Sequence, residues 1–514
     1  MHETRRHARC PSLAARRRAA ASGRARVAAL AGLVMLLFLL GATCAAGETP
    51  AGDNVSAAVL GEGMPLWSIL PFAGILLSIA LFPLFLPRFW HHHYSKVAVA
   101  WGLIFAVPFL LARRGDAVHA ILVTTLHEYM PFIVLLWALF TVAGGIVLRG
   151  TMSGTPRANL ALLFAGTLAA SCVGTTGASM LLIQPLLRGL ERRQQRAHTV
   201  IFFIFLVSNI GGVLTPLGDP PLFLGFLNGV PFFWTLHLWP QFFFLLVVLL
   251  PLYYGIDRRA FLREGSASAA SLRQGPVHLV PTPHEPLRLE GLVNLPLLLA
   301  ILASVLLSGL VHLRAVEFLG IRFELQDLLR DAALVLIGLA SLRLTPRPLR
   351  AANQFTWAPM REVAWLFAGI FMTMIPALAI LLAGERGALA PLVQHVDLPG
   401  EYFWVTGAFS SVLDNAPTYL TFLSAAIGAH FPGLTPHEAV HRLSTEQGTL
   451  LAAISCGAVF MGANTYIGNA PNFMVRSIAE QRGVAMPSFL GYLFRWSLPL
   501  LVPVFVLLTL VFFR

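Results

Sequence analysis

The sequence predicts an all-α protein that crosses a membrane many times and consists of two related halves. Of its 514 residues, 57% are hydrophobic and only 12% are charged, whereas soluble domains carry roughly 25% charged residues. Apolar segments recur along the chain, most of them close to the roughly 20 residues that a helix needs to cross a bilayer. One short polar pattern, T-x-x-G-[DN]-x-P, occurs at matching places in the two halves, beginning at Thr215 and at Thr465.

The first 46 residues have the composition of a targeting segment. An arginine-rich stretch is followed by the apolar run VAALAGLVMLLFLLGATCAAG, which ends in small residues near Ala46. This order is typical of a secretory signal peptide, and an uncleaved first transmembrane helix is the alternative. In both cases the acidic residues that follow, Glu48, Asp53 and Glu62, are expected outside the cytoplasm.

Ten apolar segments are predicted to cross the membrane as single spans. Several loops between them are rich in arginine, and these loops fall on one side if the spans alternate, so that side is predicted to be the cytoplasm. Arg113 and Arg114 fall on the other side and do not follow this pattern. The predicted spans cover residues 66–86, 97–112, 131–149, 197–227, 235–255, 291–313, 331–345, 361–383, 448–480 and 488–513.

Two further apolar segments, at about 158–190 and 402–428, do not fit single spans. The first would form about 50 Å of helix, against a hydrocarbon core of about 30 Å, and its middle is the glycine-rich stretch SCVGTTGASM. We therefore predict a re-entrant helical hairpin that enters and leaves on the cytoplasmic side. The second segment turns at SSVLDNAPTY, and the span count predicts that it enters from the outside.

The predicted order of elements is the same in both halves, with opposite orientation. Each half has three spans, a re-entrant hairpin, a broken span and a further span. The first repeat covers 47–256 and the second 291–514, and the polar segment 257–290 is predicted to be a cytoplasmic linker. Thr465 lies 250 positions after Thr215, in the middle of a span that follows a hairpin, which favours duplication. Inverted repeats of this kind are typical of secondary transporters.

The two broken spans, 197–227 and 448–480, interrupt apolar helices with proline and glycine. The breaks free backbone N–H and C=O groups, which membranes tolerate only inside protein or along a water-filled cavity. Freed carbonyls can coordinate a cation, and helix N-termini can face an anion. We expect the polar residues of the hairpin turns and breaks to converge near the midplane: Thr175, Thr176, Ser208, Asn209, Thr215, Asp219, Ser410, Ser411, Asp414, Asn415, Thr418, Asn464, Thr465, Asn469 and Asn472.

Asp219 and Asp414 are the acidic residues that lie nearest the middle of apolar segments. An ionised aspartate at the bilayer centre costs on the order of 3 kcal/mol. Each could simply stabilise a turn, as DP and DN pairs do, or act as a hard oxygen ligand for a small cation or as a proton carrier. Because GDPP has the stronger turn explanation, Asp414 is predicted to be the principal coupling carboxylate, with Asn415 and the second broken span supplying neutral ligands.

The stretches SNIGGVLTPLGDPP, LDNAPT and GANTYIGNAPN resemble motifs of the ion transporter superfamily. This superfamily includes NhaD-type sodium/proton antiporters, arsenite exporters, citrate–metal transporters and divalent-anion/sodium symporters. The resemblance covers the chain from about residue 66 to the end. It implies a scaffold domain, a transport domain that holds both hairpins, an elevator-type movement and, in many members, a homodimer.

The hairpin turns differ from those of the dicarboxylate symporters, which carry Ser-Asn-Thr at both. This chain has Gly174 to Gly177 (GTTG) in the first turn and Asp414-Asn415 in the second. The additional carboxylate would repel an anionic substrate, which favours the antiporter branch. If SCV of the first hairpin is aligned with SSV of the second, however, Thr175 falls at the position of that acid.

Together these features predict a secondary active transporter of the bacterial inner membrane, not an enzyme, that exchanges sodium for protons and needs no cofactor. Its partners would be small ions and the lipid bilayer. The net charge of +12 does not indicate nucleic acid, because the arginines fall in short loops. A citrate or dicarboxylate transporter is the alternative.

A remote alternative is an intramembrane zinc protease. Residues His437 to His441 read HEAVH, a pattern that binds zinc on a helix, and Asp414 could supply a third ligand. The motif lies in a polar stretch, however, and Thr435 starts a capping box with proline at the first helical position.

The linker 257–290 is predicted to carry no transport chemistry. Deletion of its middle, Ser266 to Gly275, should leave the transport rate per inserted molecule unchanged in proteoliposomes. Size-exclusion chromatography in detergent controls for folding. Loss of transport by a well-folded deletion variant would contradict this prediction.

Overall fold

The computed structural model describes residues 55–150, 152–272, 286–318, 321–389 and 396–514. The predicted signal peptide or first helix, residues 1–46, lies outside the described residues. The described chain is mostly helical, and seven of its helical stretches are long and apolar enough to cross a membrane. Two shorter apolar stretches, Asn294–Leu310 and Gly448–Asn464, accompany them. The predicted class, an all-α polytopic membrane protein, is confirmed.

The helices of the first half follow the predicted spans, with additional short turns. A π-helical turn, Thr124–Tyr129, joins α3 to α4, and α3 is kinked at Arg114. The helices are α1 (Val55–Glu62), α2 (Leu70–Phe85), α3 (Pro87–Val123), α4 (Met130–Ala143), α5 (Pro156–Val173), α6 (Thr175–Gly189), α7 (Ala197–Leu206), α8 (Pro220–Leu227) and α9 (Trp239–Leu272).

The second half contains the remaining helices and one of two short antiparallel strand pairs. β1 (Val147–Arg149) pairs with β2 (Arg288–Glu290), and β3 (Ala315–Phe318) pairs with β4 (Ile321–Glu324). The helices are α10 (Asn294–Leu310), α11 (Leu325–Leu344), α12 (Arg347–Ala352), α13 (Ala358–Leu382), α14 (Pro399–Val412), α15 (Asn415–His430), α16 (Pro436–Glu446), α17 (Gly448–Met461), α18 (Ala470–Gln481), α19 (Phe489–Tyr492) and α20 (Val502–Phe512).

Both segments that were predicted as hairpins fold as pairs of helices in contact. In hairpin 1, α5 and α6 meet at Gly174, whose φ of +80° favours glycine. In hairpin 2, α14 and α15 meet at Leu413-Asp414. The longest of these four helices, α5, has 18 residues and measures about 27 Å, which is shorter than a bilayer core of about 30 Å.

Both predicted broken spans are interrupted at equivalent positions. In broken span 1, α7 ends at Leu206 and α8 begins at Pro220, after Asp219 in extended conformation. In broken span 2, α17 ends at Met461 and α18 begins at Ala470, after extended Asn469. Asp219 and Asn469 are 250 positions apart, so each break ends at the same point of its half.

The broken spans form the centre of the molecule. No side chain from Val200 to Val207 is exposed, whereas α3 exposes apolar residues such as Leu103, Ile104 and Leu111. An exposed apolar helix face is expected where a membrane protein meets lipid. The breaks are therefore enclosed by protein, as the free backbone groups at membrane depth require.

Contacts between loops sort the arginines to two ends of the molecule. At the first end, Arg149 pairs with Glu290, and Arg350 donates to the carbonyl of Thr141. Contacts of Arg196 with Gly483 and of Arg482 with Gln184 join further loops to this end. Since Arg188 also donates to the carbonyl of Leu148, the loops that contain Arg149, Arg196, Arg350 and Arg482 lie together, as predicted for basic loops on one side.

The second end carries Arg113, one of the two arginines that did not follow the pattern. Arg113 donates to the carbonyl of Gly63, and Arg386 pairs with Glu62. Glu62 is one of the acids that the sequence placed outside the cytoplasm. The structure thus groups Arg113 with this end, as the span count predicted.

The first part of the predicted linker 257–290 is helical in the structure. Helix α9 continues to Leu272 instead of ending near residue 256, and only residues 273–285 of the segment lie outside the description. Asp257, predicted as the first loop residue, is fully buried and pairs with Arg193 at 2.8 Å. Polar residues that follow an apolar segment usually indicate a loop. Here they continue helix α9, because Asp257 pairs with the buried Arg193.

We expect the bases of the two hairpins to face opposite sides of the membrane. Glu191, just after hairpin 1, and Pro432, just after hairpin 2, are both exposed. In a cysteine-free background, Glu191→Cys should react with an impermeant thiol reagent only in inverted vesicles, and Pro432→Cys only in right-side-out vesicles. The unlabelled parent is the control, and labelling of both positions from the same side would rule out the inverted arrangement.

Candidate functional site

Asp219 lies where both hairpins and both broken spans meet. Its side chain is 1% exposed. Thr175 of hairpin 1 donates to Oδ1 at 2.8 Å, and Asn469 of broken span 2 donates to the same oxygen at 3.1 Å. Asn415 of hairpin 2 donates to Oδ2 at 2.5 Å. The carboxylate therefore joins one side chain from each of the other three interrupted elements.

Four helices begin at this cluster. Thr175 and Asn415 are the first residues of α6 and α15, and Asp219 and Asn469 directly precede α8 and α18. The N-terminus of a helix carries a partial positive charge and free N–H groups. Four such ends around one carboxylate offset part of the cost of burying its negative charge.

The chain approaches itself so closely at the breaks that only glycine fits. A Cβ atom on Gly218 would lie 2.1 Å from the carbonyl oxygen of Gly212, and one on Gly468 would lie 2.5 Å from that of Gly462. Gly218 also accepts the N–H of Thr175 at 2.8 Å. The glycines of the repeated pattern thus bring the broken span against the hairpin turn.

The contacts between hairpin and broken span recur in the two halves. Thr215 Oγ1 donates to the carbonyl of Ser171, and Thr465 Oγ1 donates to that of Ser411 at 2.6 Å. The hydroxyls of the same two serines donate to the carbonyls of Gly211 and Met461, which also lie 250 positions apart. This correspondence supports the duplication that the sequence pattern predicted.

The same contacts fix the alignment of the two hairpin turns. They place Ser171 opposite Ser411, so Thr175 stands opposite Asn415 and Gly174 opposite Asp414. The alignment of SCV with SSV, which set Thr175 opposite Asp414, is wrong by one residue. The helix starts give the same answer, because α6 begins at Thr175 and α15 at Asn415.

A second layer of amides ties the two broken spans together. Asn209 Nδ2 donates to Asn472 Oδ1 at 2.7 Å, and Asn472 Nδ2 donates to the carbonyls of Gly462 and Thr465. Asn469 Nδ2 also donates to the carbonyl of Ser208. These bonds satisfy backbone carbonyls that the breaks leave without helical partners.

Sequence reasoning missed two serines of hairpin 1 that belong to this layer. Ser171 contacts broken span 1 through both its hydroxyl and its carbonyl, and Ser179 shares a hydrogen bond with Ser208. The similarity of SCV to SSV could have indicated Ser171. No pattern indicated Ser179, which lies one helical turn beyond Thr175.

Three buried amide oxygens of hairpin 2 and the two broken spans have no hydrogen-bond partner among the described residues. They are Oδ1 of Asn209, Asn415 and Asn464. Buried polar atoms are nearly always hydrogen-bonded, so unpartnered ones indicate a role or an unseen ligand. Carboxylate and amide oxygens together are the kind of ligands that hard cations prefer.

Asp414 has a different environment from Asp219. It precedes α15 as the N-cap, and its carboxylate accepts the N–H of Ala416 at 3.1 Å. Thr418 donates to its backbone carbonyl. The carboxylate is partly exposed and lies near enough to Asp219 for the two charges to interact. Asp414 therefore makes a capping contact, whereas Asp219 receives donors from three other elements.

A small cavity adjoins the cluster. It has a volume of about 80 Å³, and Thr175, Thr176, Gly218 and Asp219 line one part of it. Apolar side chains of α4, α8, α13 and α18 line the rest, and Asp219 is its sole charged lining residue in the described part of the chain. A single water molecule occupies about 10–15 Å³ of such a cavity. The cavity therefore has room for a small cation with some of its water.

The HEAVH motif lies on α16, away from any complete metal site in the described ranges. Thr435 caps this helix by accepting the N–H of Glu438 at 3.3 Å. No group of three His, Cys, Asp or Glu side chains among the described residues could hold a metal ion. The predicted cap is confirmed, and the zinc-protease alternative lacks a third ligand there.

Comparison with protein-family models matches residues 61–513 to a family described as "Putative citrate transport". The chain belongs to this family. The match spans both halves and confirms the resemblance to the ion transporter superfamily through its citrate transporters. A search of curated proteins found no match. Membership of a transporter family, together with the apolar helices, makes this chain a multi-pass membrane transport protein.

The close approach at the second break should not tolerate a methyl group. Gly468→Ala should destabilise the protein by about 1–3 kcal/mol, because overpacking against backbone cannot relax cheaply, and it should lower transport. Gly448→Ala is the matched control, since a Cβ there meets nothing within 4 Å. Thermal unfolding in detergent measures both, and equal unfolding midpoints would contradict the prediction.

Proposed function

We propose that the protein is a secondary active transporter of the bacterial inner membrane that exchanges sodium ions for protons, with Asp219 as the group that both ions share. The observation that carries this proposal is the buried carboxylate at the junction of the four interrupted elements. Three side chains donate to it, and one of these donors, Asn415, has an unpartnered amide oxygen. No other described lining residue of the adjacent cavity is charged.

Competition at one carboxylate would couple the two ions. In this proposal the ionised form of Asp219 binds sodium together with the unpartnered amide oxygen of Asn415. Rotation of the Asn415 amide would turn its Oδ1 toward the ion in place of Nδ2, which donates to Asp219 in the structure. Protonation removes the negative charge and with it most of the attraction for sodium.

Burial of the ionised Asp219 carboxylate would prevent the protein from moving the site across the membrane when neither ion is bound. An uncompensated buried charge is strongly unfavourable, and the hydrogen bonds and helix ends compensate it only in part. The states that are neutral at Asp219, with sodium or with a proton bound, should therefore cross most easily. Exchange follows because each crossing carries one of the two ions.

The position of the cavity suits the elevator-type movement that the superfamily resemblance implies. Its polar part belongs to hairpin 1 and broken span 1, and its apolar part includes Leu135 of α4 and Met360 of α13. We propose that the hairpins and broken spans move as one unit against α4 and α13. The expected homodimer would then form through the stationary helices.

Citrate transport is the second candidate, and the family description favours it. The site itself has few groups that could bind a polycarboxylate. No arginine, lysine or histidine of the described chain lines the cavity beside Asp219, and the carboxylates of Asp219 and Asp414 would repel a trianion. Citrate would therefore have to bind together with cations.

Replacement of Asp219 tests the proposal directly. Asp219→Asn should fold, because asparagine keeps the size and can still form hydrogen bonds, but it should abolish sodium-dependent proton movement in proteoliposomes that contain a pH dye. Asp414→Asn is the matched control, since asparagine caps helices as well as aspartate does, and it should retain exchange.

The double variant Asp219→Asn/Asn469→Asp moves the carboxylate to the equivalent position of the other half and should recover part of the exchange. Lithium and citrate are tested in parallel. Exchange by Asp219→Asn at the parent rate would refute the role of Asp219. Citrate uptake by the parent without any sodium/proton exchange would make the second candidate the function.

A further inference from the structure

A second cavity of about 630 Å³ opens at the end of the molecule that carries the basic loops. Three chain segments form it: the loop after hairpin 1, the polar part of α9, and the loop after α18. Trp496 closes one side. Its lining residues include Gln195, Arg196, His198, Arg259, Arg263 and Gly483.

The arginines of this cavity have no acidic partner in the described chain. The nearby acids Asp257 and Glu264 are already paired with Arg193, at 2.8 and 2.6 Å. Glu264 also accepts the N–H of Gln195, and the lining itself contains no acid. Arg196, Arg259 and Arg263 form no ion pair among the described residues, so their positive charges face the cavity uncompensated.

The cavity lies at the depth of the lipid headgroups. The apolar part of α9 runs from Trp239 to Ile256, about 27 Å of helix, which matches a hydrocarbon core of about 30 Å. Arg259 and Arg263 follow about 5 and 10 Å further along the axis, which places Arg259 in the headgroup layer and Arg263 at its aqueous edge. Trp496 is an aromatic residue of the kind enriched at this level.

We propose that this cavity binds a phosphate group at the cytoplasmic membrane surface, as part of an anionic phospholipid. The arginine guanidinium matches the geometry of phosphate oxygens and binds them in pairs. Basic pockets between helices on the cytoplasmic side are a recurrent form of lipid headgroup site. Ile256 and Trp496 offer apolar surface for the start of the acyl chains. The site is independent of which solute the protein transports.

Binding can be measured with purified full-length protein in detergent. Native mass spectrometry would follow the titration of dioctanoyl phosphatidylglycerol, dioctanoyl phosphatidylcholine and inorganic phosphate. Phosphatidylglycerol should bind most tightly. The variant Arg259→Gln/Arg263→Gln should bind it roughly 30-fold more weakly, since each arginine near an anionic surface contributes about a fivefold factor. Arg258→Gln is the control, because Arg258 lies on the same helix but outside the lining.

The three ligands distinguish the source of the phosphate. Inorganic phosphate that binds the parent more tightly than the lipid, and is lost in the double variant, would support the site with a soluble anion as its ligand. Equal phosphatidylglycerol affinity in parent and double variant, or an equal loss in Arg258→Gln, would overturn the proposal. If the double variant does not fold by circular dichroism, Arg263→Gln alone should show about a fivefold loss.

Discussion

The contact between Asp219 and the side chains of Thr175, Asn415 and Asn469 is the constraint on which the rest of the structure depends. A buried carboxylate needs donors, and here each donor comes from a different interrupted helix. The breaks bring these side chains together, and the glycines let the backbones approach. The amides of Asn209 and Asn472 donate to the backbone carbonyls of Ile204, Gly462 and Thr465. The surrounding apolar helices keep this polar centre out of lipid.

The fold was largely predictable because membranes restrict the possibilities. The lengths of the apolar segments predicted the spans, and the segments that are too long for one crossing predicted the hairpins. The repeated T-x-x-G-[DN]-x-P pattern gave two breaks that the structure places at equivalent positions. The end of α9 was not predictable, because Asp257 resembles a loop residue until its partners Arg193 and His198, about 60 positions away, are known.

The convergence of these polar residues was also predictable, but not which aspartate receives donors from distant segments. The sequence favoured Asp414 over Asp219 as the coupling carboxylate, because GDPP is explained by a turn whereas the DN pair lies at the tip of a predicted hairpin. Local sequence shows that an aspartate can cap a helix, but it does not show which aspartate receives donors from distant segments. Asn415 and Asn469 lie 196 and 250 positions from Asp219, so their convergence follows only from the three-dimensional arrangement.

The two halves contribute unequally at the equivalent positions 219 and 469, where one carries an acid and the other a neutral amide. A perfectly symmetric ancestor with two acids would hold two negative charges and would keep one of them after binding a single sodium ion or proton. In the proposed exchange, Asp219 itself would carry no net charge with either ion bound. Because the membrane potential acts on net charge, about 2.3 kcal/mol per unit charge at 100 mV, the loaded Asp219 site would cross without electrical work. Exchange at this carboxylate would then be electroneutral and would respond to ion gradients, not to voltage.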